Sequence, residues 1–173
     1  MNAKERLAIP PQHMAEQDPA VRIHNQNEVP MGFRPEQAIQ EANRCLQCKK
    51  AACVVNCPVG IDIPAFLALV AQGDFRAALS KIKEKNMLPA ICGRVCPQEE
   101  QCQLQCSVAK ILKSREAAVS VGKLERFVAD WERSTGVMDL PKLPPKTGKR
   151  AAVVGSGPAG LTVAGDLIRL GHE

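Results

Sequence analysis

The sequence predicts an all-α fold over most of the chain, followed by one β-strand and one helix near its end. Apolar residues recur at the i, i+3, i+4 and i+7 spacing of a helix with one buried face. No segment before residue 150 alternates apolar and polar residues as a half-buried strand does. After a proline-rich stretch, a short apolar run of the parallel-sheet type leads through a glycine-rich loop into the last helix.

The first part of the chain is predicted to form an arm and one helix. Residues 1–34 are rich in Pro, Gln, Asn and Met and show no period. We therefore expect them to wrap around another surface or to be partly disordered. Pro35 suits the first position of a helix, which we expect to run to Arg44, directly before Cys45.

The middle of the chain is predicted to contain three further helices. Asp62 and Asp74 precede apolar stretches and are suited to cap helix N-termini, with Gly73 ending the first of the two helices. Pro89 is interpreted as a turn that leads to a second group of cysteines. The apolar residues at helical spacing are Phe66, Leu67, Leu69 and Val70, then Phe75, Ala78, Leu79 and Ile82, and finally Val121, Leu124, Val128 and Trp131.

The end of the chain is predicted to be a linker and the start of a second domain. Residues 141–149 contain three prolines, which stiffen a linker. Residues 150–154 are expected to form the strand, and the helix that follows runs through Leu170. The predicted organisation is thus an arm at 1–34, a helical domain at 35–140, a linker at 141–149 and a truncated domain at 150–173.

Composition limits the class of protein. A hydrophobic content of 45% with 24% charged residues is that of a soluble globular protein rather than of a disordered chain. No apolar run approaches 18 residues, so no membrane span is expected. The net charge of +5 is spread along the chain without interleaved aromatics, which argues against nucleic-acid binding.

The N-terminus predicts the cellular compartment. It lacks the apolar core and the small-residue cleavage site of a secretory signal, so we expect a cytoplasmic protein. In that reducing compartment, eight cysteines indicate metal or redox chemistry rather than disulfides.

The cysteines fall into two groups whose spacing is typical of iron–sulfur ligands. The first group reads C-x2-C-x4-C-x3-C-P and the second reads C-P-x4-C-x3-C. A cubane cluster needs about four thiolates, and short C-x2-C loops supply several of them. A proline after the last cysteine turns the backbone away, so that this cysteine can serve a different cluster. Seven cysteines are too many for one cluster and nearly enough for two: Cys45, Cys48, Cys53, Cys57, Cys96, Cys102 and Cys106.

Other interpretations of the cysteines stay open at this point. Structural zinc also uses all-cysteine sites, although the chain has one C-x2-C pair and zinc does not require a following proline. A zinc-stabilised helical interaction module is therefore the alternative from another class. Cys92, between Ile91 and Gly93, is interpreted as a packed thiol rather than a ligand.

The glycine-rich loop predicts a dinucleotide site. Gly155 permits a tight turn, Gly157 lets the backbone approach a pyrophosphate, and Gly160 allows close packing of helix on strand. Pro158 and Ala159 complete the loop, where the helix N-terminus would face the phosphates. The acidic residue that holds the ribose is expected about 20 residues further on, and the chain stops before a second strand. We therefore expect this part alone to bind flavin poorly, and a glycine-rich turn without a ligand is the alternative.

These motifs together resemble those of a known family. The segments are Cys45–Pro58 continuing to Pro64, Gly93–Pro97, Val121–Phe127 and Gly155–Leu161. In order and spacing they resemble the small (beta) subunit of NADPH-dependent glutamate synthase. They also resemble the large subunit of the electron-bifurcating ferredoxin:NADP oxidoreductase and the N-terminal part of dihydropyrimidine dehydrogenase.

The resemblance implies the fold and the ligand sets. It implies an α-helical ferredoxin-like domain with two [4Fe–4S] clusters, followed by a truncated Rossmann-like FAD-binding domain. One cluster would be held by Cys45, Cys48, Cys53 and Cys106. The other would be held by Cys57, Cys96, Cys102 and, as an oxygen ligand on the last helix, Glu125.

The resemblance also implies a function for the parent protein. Electrons from NADPH would pass through FAD and the two clusters to a large (alpha) subunit that makes glutamate from glutamine and 2-oxoglutarate. Alternatives within this class are a ferredoxin- or sulfur-linked NADPH oxidoreductase and a dihydropyrimidine dehydrogenase-like subunit. No residue present is suited to transfer a hydride, so no catalytic residue is assigned and the chain alone is not expected to be an enzyme.

Overall fold

The computed structural model describes residues 1–138 and 140–173, which form two compact units, Met1–Ser134 and Thr135–Glu173. The described residues form helices and no strand, which confirms the all-α class. The helices of the first unit are α1 Ala3–Ala8, α2 Pro19–Arg22, α3 Pro35–Asn43, α4 Ala52–Val55, α5 Ile63–Ala71, α6 Phe75–Lys83, α7 Pro89–Val95, α8 Ser107–Leu112 and α9 Val121–Thr135, with a 3-10 turn at Arg115–Ala117.

The predicted helix starts are confirmed by their caps. The Asp62 carboxylate accepts a hydrogen bond from Ala65 N at 3.2 Å, and the Asp74 carboxylate accepts one from Ala77 N at 2.9 Å. Each bond satisfies a backbone donor that has no partner within its helix. Gly73 separates the two helices with φ +78°, a backbone conformation that glycine adopts without steric cost.

Pro89 lies at the start of a helix rather than in a turn. Its ring fixes φ near the helical value, and its missing N–H would have no partner in a first turn. The chain therefore continues as helix α7 up to Val95, and Cys96 follows at its C-terminal end.

Helices α3, α5, α6 and α9 enclose the core of the first unit. The predicted stripe on α6 is buried, because Phe75, Ala78, Leu79 and Ile82 are at most 9% exposed. Aromatic rings from α9 close the core. The Phe75 ring packs edge-on against Phe127 at 4.9 Å between centroids, and against Trp131 at 5.7 Å. Such edge-to-face contacts are the preferred geometry of aromatic pairs.

The arm is structured and packs on the helices. The Arg6 guanidinium donates to the backbone oxygens of Asn43 and Cys45, both at 2.9 Å. The loop before α3 is held by charge: Glu28 pairs with Arg94 at 2.6 Å and with Arg126 at 3.2 Å. The hydrogen bond from Arg94 holds the pKa of Glu28 below its ordinary value. The arm thus contacts the end of α3 as well as α7 and α9.

The second unit contains the last helix but not the predicted strand. Helix α10 spans Pro158–Arg169, as expected to within one residue. The expected strand at 150–154 is wrong for the described part of the chain, where Val154 is 98% exposed. A strand requires a neighbouring strand to pair its backbone. Here residues 147–151 pair with the short segment 171–173 through three bonds, from Thr147 N to Gly171 O, from Glu173 N to Lys149 O and from Ala151 N to Glu173 O.

None of the helices that the structure describes combines the length and the apolar character that a bilayer crossing requires.

Candidate metal centres

The cysteines of the first predicted set face one apolar cavity. Cys45 follows the end of α3, Cys53 lies in the short helix α4, and Cys106 directly precedes α8. The four thiols line the cavity together with aliphatic side chains of α5, α8 and α9. Their sulfur atoms are thus potential ligands in otherwise apolar surroundings. The residues of this wall include Cys45, Cys48, Cys53 and Cys106, together with Ile63, Leu67, Val108, Val119 and Val121.

The thiols of this set influence one another. Burial raises the pKa of Cys45, and the neighbouring charges of Cys106 and Cys48 raise it further. The pKa of Cys53 rises to about 11, mainly by burial and then by the charges of Cys45 and Cys106. Repulsion between thiolates acts over short distances in an apolar site. The mutual effect therefore indicates that these sulfurs lie close together, and the raised pKa values favour the protonated thiols of Cys45 and Cys53 near neutral pH.

The second predicted set gathers around Glu125. Burial raises the pKa of Cys96 to about 11, with further contributions from Cys92, Glu125 and Cys57. Burial also raises the pKa of Cys102 to about 12, and the charges of Cys57, Cys53 and Glu125 add to this. Cys102 lines the cavity of the first set as well. The two sets therefore adjoin each other, with Cys53 and Cys102 at their boundary.

Glu125 is a buried carboxylic acid on α9. Glu125 is 6% exposed. Burial raises the pKa of its carboxyl to about 7, although a hydrogen bond from Asn86 lowers this pKa. The amide Nδ2 of Asn86 donates to Glu125 Oε1 at 2.6 Å. A buried carboxylate needs such a partner, or a cation, to offset the loss of water. Glu125 therefore faces the interior of the first unit and not the solvent.

A direct contact of two helices brings the second set together. Helix α7 leads into Cys96, and α9 carries Glu125. The helices touch at Gly93, where a Cβ atom would lie 2.5 Å from the Arg126 nitrogen and 2.8 Å from the Gly122 oxygen. No side chain fits between them. This close approach is what places a thiol from one helix beside a carboxylate from the other.

Asn86 was not predicted from the sequence. An asparagine just after a helix is typical of a turn residue, and nothing in the local pattern indicates that its amide faces α9, which begins 35 positions later. Cys92 lies nearer the second set than its interpretation as a packed thiol suggested, since its sulfur is 3.6 Å from Asn86 Oδ1.

All eight cysteines are free thiols, and no disulfide links them. Within residues 1–138 and 140–173, no group of three His, Cys, Asp or Glu side chains converges as a single bound ion would require. The donor set suits an iron–sulfur cluster, in which several thiolates surround a larger inorganic core.

The glycine loop has part of the predicted geometry. Gly155 has φ +103°, and a Cβ at Gly160 would collide with the Gly155 carbonyl oxygen. Glycine is therefore required at both positions, for the turn and for the close packing. At Gly157, the cap of α10, a Cβ would meet nothing within 4 Å, so the space above the helix N-terminus is open.

Comparison with known proteins decides the family. Residues 22–137 match the family model described as dihydropyrimidine dehydrogenase domain II, 4Fe-4S cluster. The chain belongs to this family. The match includes every cysteine and Glu125 and ends before the glycine loop. The domain is therefore an iron–sulfur, electron-transfer domain of the kind found in oxidoreductases.

Curated relatives place the domain within larger enzymes. The chain is 38% identical over 147 residues to the NAD-dependent dihydropyrimidine dehydrogenase subunit PreT of Escherichia coli O157:H7, covering 85% of this chain and 34% of that protein. It is 40% identical over 148 residues to the putative oxidoreductase UacF of E. coli K12, covering 84% and 22%. It is 35% identical over 164 residues to the glutamate synthase [NADPH] small chain of Azospirillum brasilense, covering 94% and 33%. The chain thus spans about a third or less of these relatives.

Proposed function

We propose that this chain is the electron-relay segment of an NADPH- and FAD-dependent oxidoreductase and that it holds two [4Fe–4S] clusters. The observation that carries the proposal is the placement of two adjoining sets of half-buried or buried ligands within one small helical unit. The first set would be Cys45, Cys48, Cys53 and Cys106, and the second Cys57, Cys96, Cys102 and Glu125.

The residues around the sets define what the protein contributes. When bound, iron–sulfur clusters supply one-electron transfer at a potential that the protein tunes. To become ligands, the thiols of Cys53 and Cys102 would give up their protons. Burial makes this unfavourable, and the cationic iron of a cluster would offset the cost. Aliphatic residues such as Leu67 and Val121 keep water away from the first set. The carboxylate of Glu125 gives the second set a harder donor and hence a different potential.

For the parent protein, we propose the role of a glutamate synthase small subunit. The support is the likeness to the Azospirillum glutamate synthase [NADPH] small chain, which extends over 164 residues and reaches the glycine loop. In this role the loop at 155–160 begins the FAD site, and a large subunit in the cytoplasm receives the electrons and makes glutamate from glutamine and 2-oxoglutarate. We place the helical ferredoxin-like domain at 35–140, and the start of the FAD-binding domain at 150–173.

A second role has specific support. The likeness to the dihydropyrimidine dehydrogenase subunit PreT is of similar strength over 147 residues. The two roles differ in the substrate of the partner subunit. An assay of NADPH or NADH oxidation by the parent oxidoreductase decides between them. Oxidation that depends on glutamine plus 2-oxoglutarate supports the first role, and oxidation that depends on a pyrimidine base supports the second.

The cluster assignment is tested by replacing one cysteine at a time. The chain is purified under anaerobic conditions and assayed for iron, acid-labile sulfide and zinc. We expect about eight irons per chain in two clusters. Cys106→Ser should lose about four of them because it removes a ligand of the first set, whereas the control Ser80→Ala, which removes an exposed hydroxyl on α6, should retain all. A colourless chain with stoichiometric zinc, or a Cys106→Ser variant with full iron content, would refute the assignment.

A further inference from the structure

Asn86 connects the end of α6 to the centre of α9. It lies three residues beyond α6 and is 6% exposed. Its backbone N–H donates to the Ile82 oxygen at 2.9 Å, which continues the helical turn and fixes the direction of its side chain. The side chain then reaches Glu125, which is 39 positions further along the chain.

The orientation of the Asn86 amide is determined by its neighbours. The Leu88 backbone N–H donates to Asn86 Oδ1 at 2.9 Å. A backbone N–H can only donate, so the atom that it meets must be the amide oxygen. The Cys92 thiol, a weak donor, lies 3.6 Å from the same oxygen. The NH2 group must therefore face Glu125, and it donates to Oε1 at 2.6 Å.

The contact leaves the two carboxylate oxygens of Glu125 unequal. Oε1 is held by Asn86, whereas no hydrogen bond reaches Oε2 from any residue within the described part of the chain. A carboxylate that uses one oxygen to accept a hydrogen bond presents the other to a cation in a fixed direction. Partners of this kind orient metal-binding side chains and tune the bound metal.

We propose that Asn86 is the positioning residue of the second cluster: its amide holds Glu125 Oε1 so that Oε2 is presented as the oxygen ligand. This inference rests on the proposed function, in which Glu125 completes the second set. The hydrogen bonds of the Asn86 side chain join it to Glu125, Leu88 and Cys92 and not to a sulfur ligand of that set, so it acts through Glu125. Cys92 supports the amide from its other side.

The test uses the whole chain, purified under anaerobic conditions, with two variants of Asn86. Asn86→Leu removes both the donor and the acceptor. Asn86→Asp keeps the acceptor for Leu88 N and replaces only the NH2 group that faces Glu125. Because it preserves the local turn, it keeps the test usable if Asn86→Leu fails to fold. Gln72→Leu, which removes an exposed amide at the end of α5, is the matched control.

The readouts are the midpoint potentials and the electron paramagnetic resonance signals of the two clusters. We expect both variants to shift or remove one of the two reductive transitions and to leave the other unchanged, with the control like wild type. In a double-mutant cycle, Asn86→Asp should add nothing to the shift caused by Glu125→Gln, because both changes act on the same ligand.

Several outcomes would overturn the inference. Unchanged potentials and signals in Asn86→Asp would do so, as would an equal shift of both transitions, which would indicate a general loosening of the fold. Additive effects of the Asn86 and Glu125 changes would show that Asn86 acts elsewhere. A wild-type chain without iron would instead contradict the proposed function, and would be recognised before any variant is made.

Discussion

Arg44 is fully buried and forms a charged junction between three segments. Its guanidinium contacts the Glu41 carboxylate at 2.6 Å, and both side chains are 0% exposed. It also donates to the backbone oxygens of Ile9 and Ala118, both at 3.2 Å. Glu41 in turn accepts from Gln12 N and from Ser120 N, both at 2.8 Å. The pair thus joins the arm, α3 and the segment before α9. Arg44 directly precedes Cys45 in the chain.

Removing one partner of this pair should be costly. Arg44→Met leaves the Glu41 charge buried without its cation, and such losses lower the free energy of unfolding by about 3–5 kcal/mol. Arg22→Met is the matched control, because Arg22 and Glu16 form an exposed pair at 3.8 Å. Exposed pairs contribute about 0–1 kcal/mol. Urea unfolding of the two variants under anaerobic conditions should show this difference, and equal losses would refute the structural role of Arg44.

At the scale of the helices, the contact of α7 with α9 requires a residue without a side chain. A Cβ at Gly93 would lie within 3 Å of the α9 backbone, which cannot move as a flexible side chain can. Gly93→Ala should therefore push the helices apart and lower stability by about 1–3 kcal/mol, the usual cost of overpacking.

The iron content of Gly93→Ala tests the same contact. Separation of Cys96 from Glu125 should lower the iron held by the second set, while the first set keeps its own. Gly157→Ala is the control, since φ there is −72° and a Cβ meets nothing. Wild-type stability and iron content in Gly93→Ala would show that the helices can adjust without loss.

The elements differ in how far the sequence predicts them. The caps at Asp62 and Asp74 and the buried face of α6 depend on residues within one or two turns, so local patterns suffice. The strand predicted at 150–154 would need a partner strand, and the described part of the chain contains none. The Asn86–Glu125 contact, and the contacts of Arg44 with the arm and with the segment before α9, join segments whose meeting depends on the packing of several helices. Cysteine spacing was enough to predict iron–sulfur ligands, whereas the division into two ligand sets is implied by the resemblance to a known family and stays a prediction.

At the scale of the whole molecule, the chain divides into two units between Ser134 and Thr135, and the second unit contains an exposed, proline-rich segment near its start. Residues 140–150 are all exposed and form no regular element, whereas the first unit has its own core. Brief trypsin treatment of the native protein should cut first after Lys142, Lys146 or Lys149, because exposed loops are preferred sites of cleavage. Mass spectrometry and iron analysis of the product should show a first unit with its full iron content.

The lysines of this segment allow a control. A variant with Lys142→Gln, Lys146→Gln, Lys149→Gln and Arg150→Gln, which also removes the neighbouring arginine site, should slow the first cleavage and leave the iron content unchanged. Early cleavage within α3 to α9, or loss of iron together with the linker cut, would show that the first unit depends on the second.

The edge-on contact of Trp131 with Phe75 has a practical consequence for optical experiments. Trp131 is the only tryptophan of the chain, which has no tyrosine at all. Its ring lies in the first unit, beside the core. Ultraviolet-excited emission from the protein therefore reports on the surroundings of a single indole at the end of α9. Unfolding of residues 135–173 would not contribute to this emission. An unfolding curve with one step would therefore describe the cysteine-bearing unit alone.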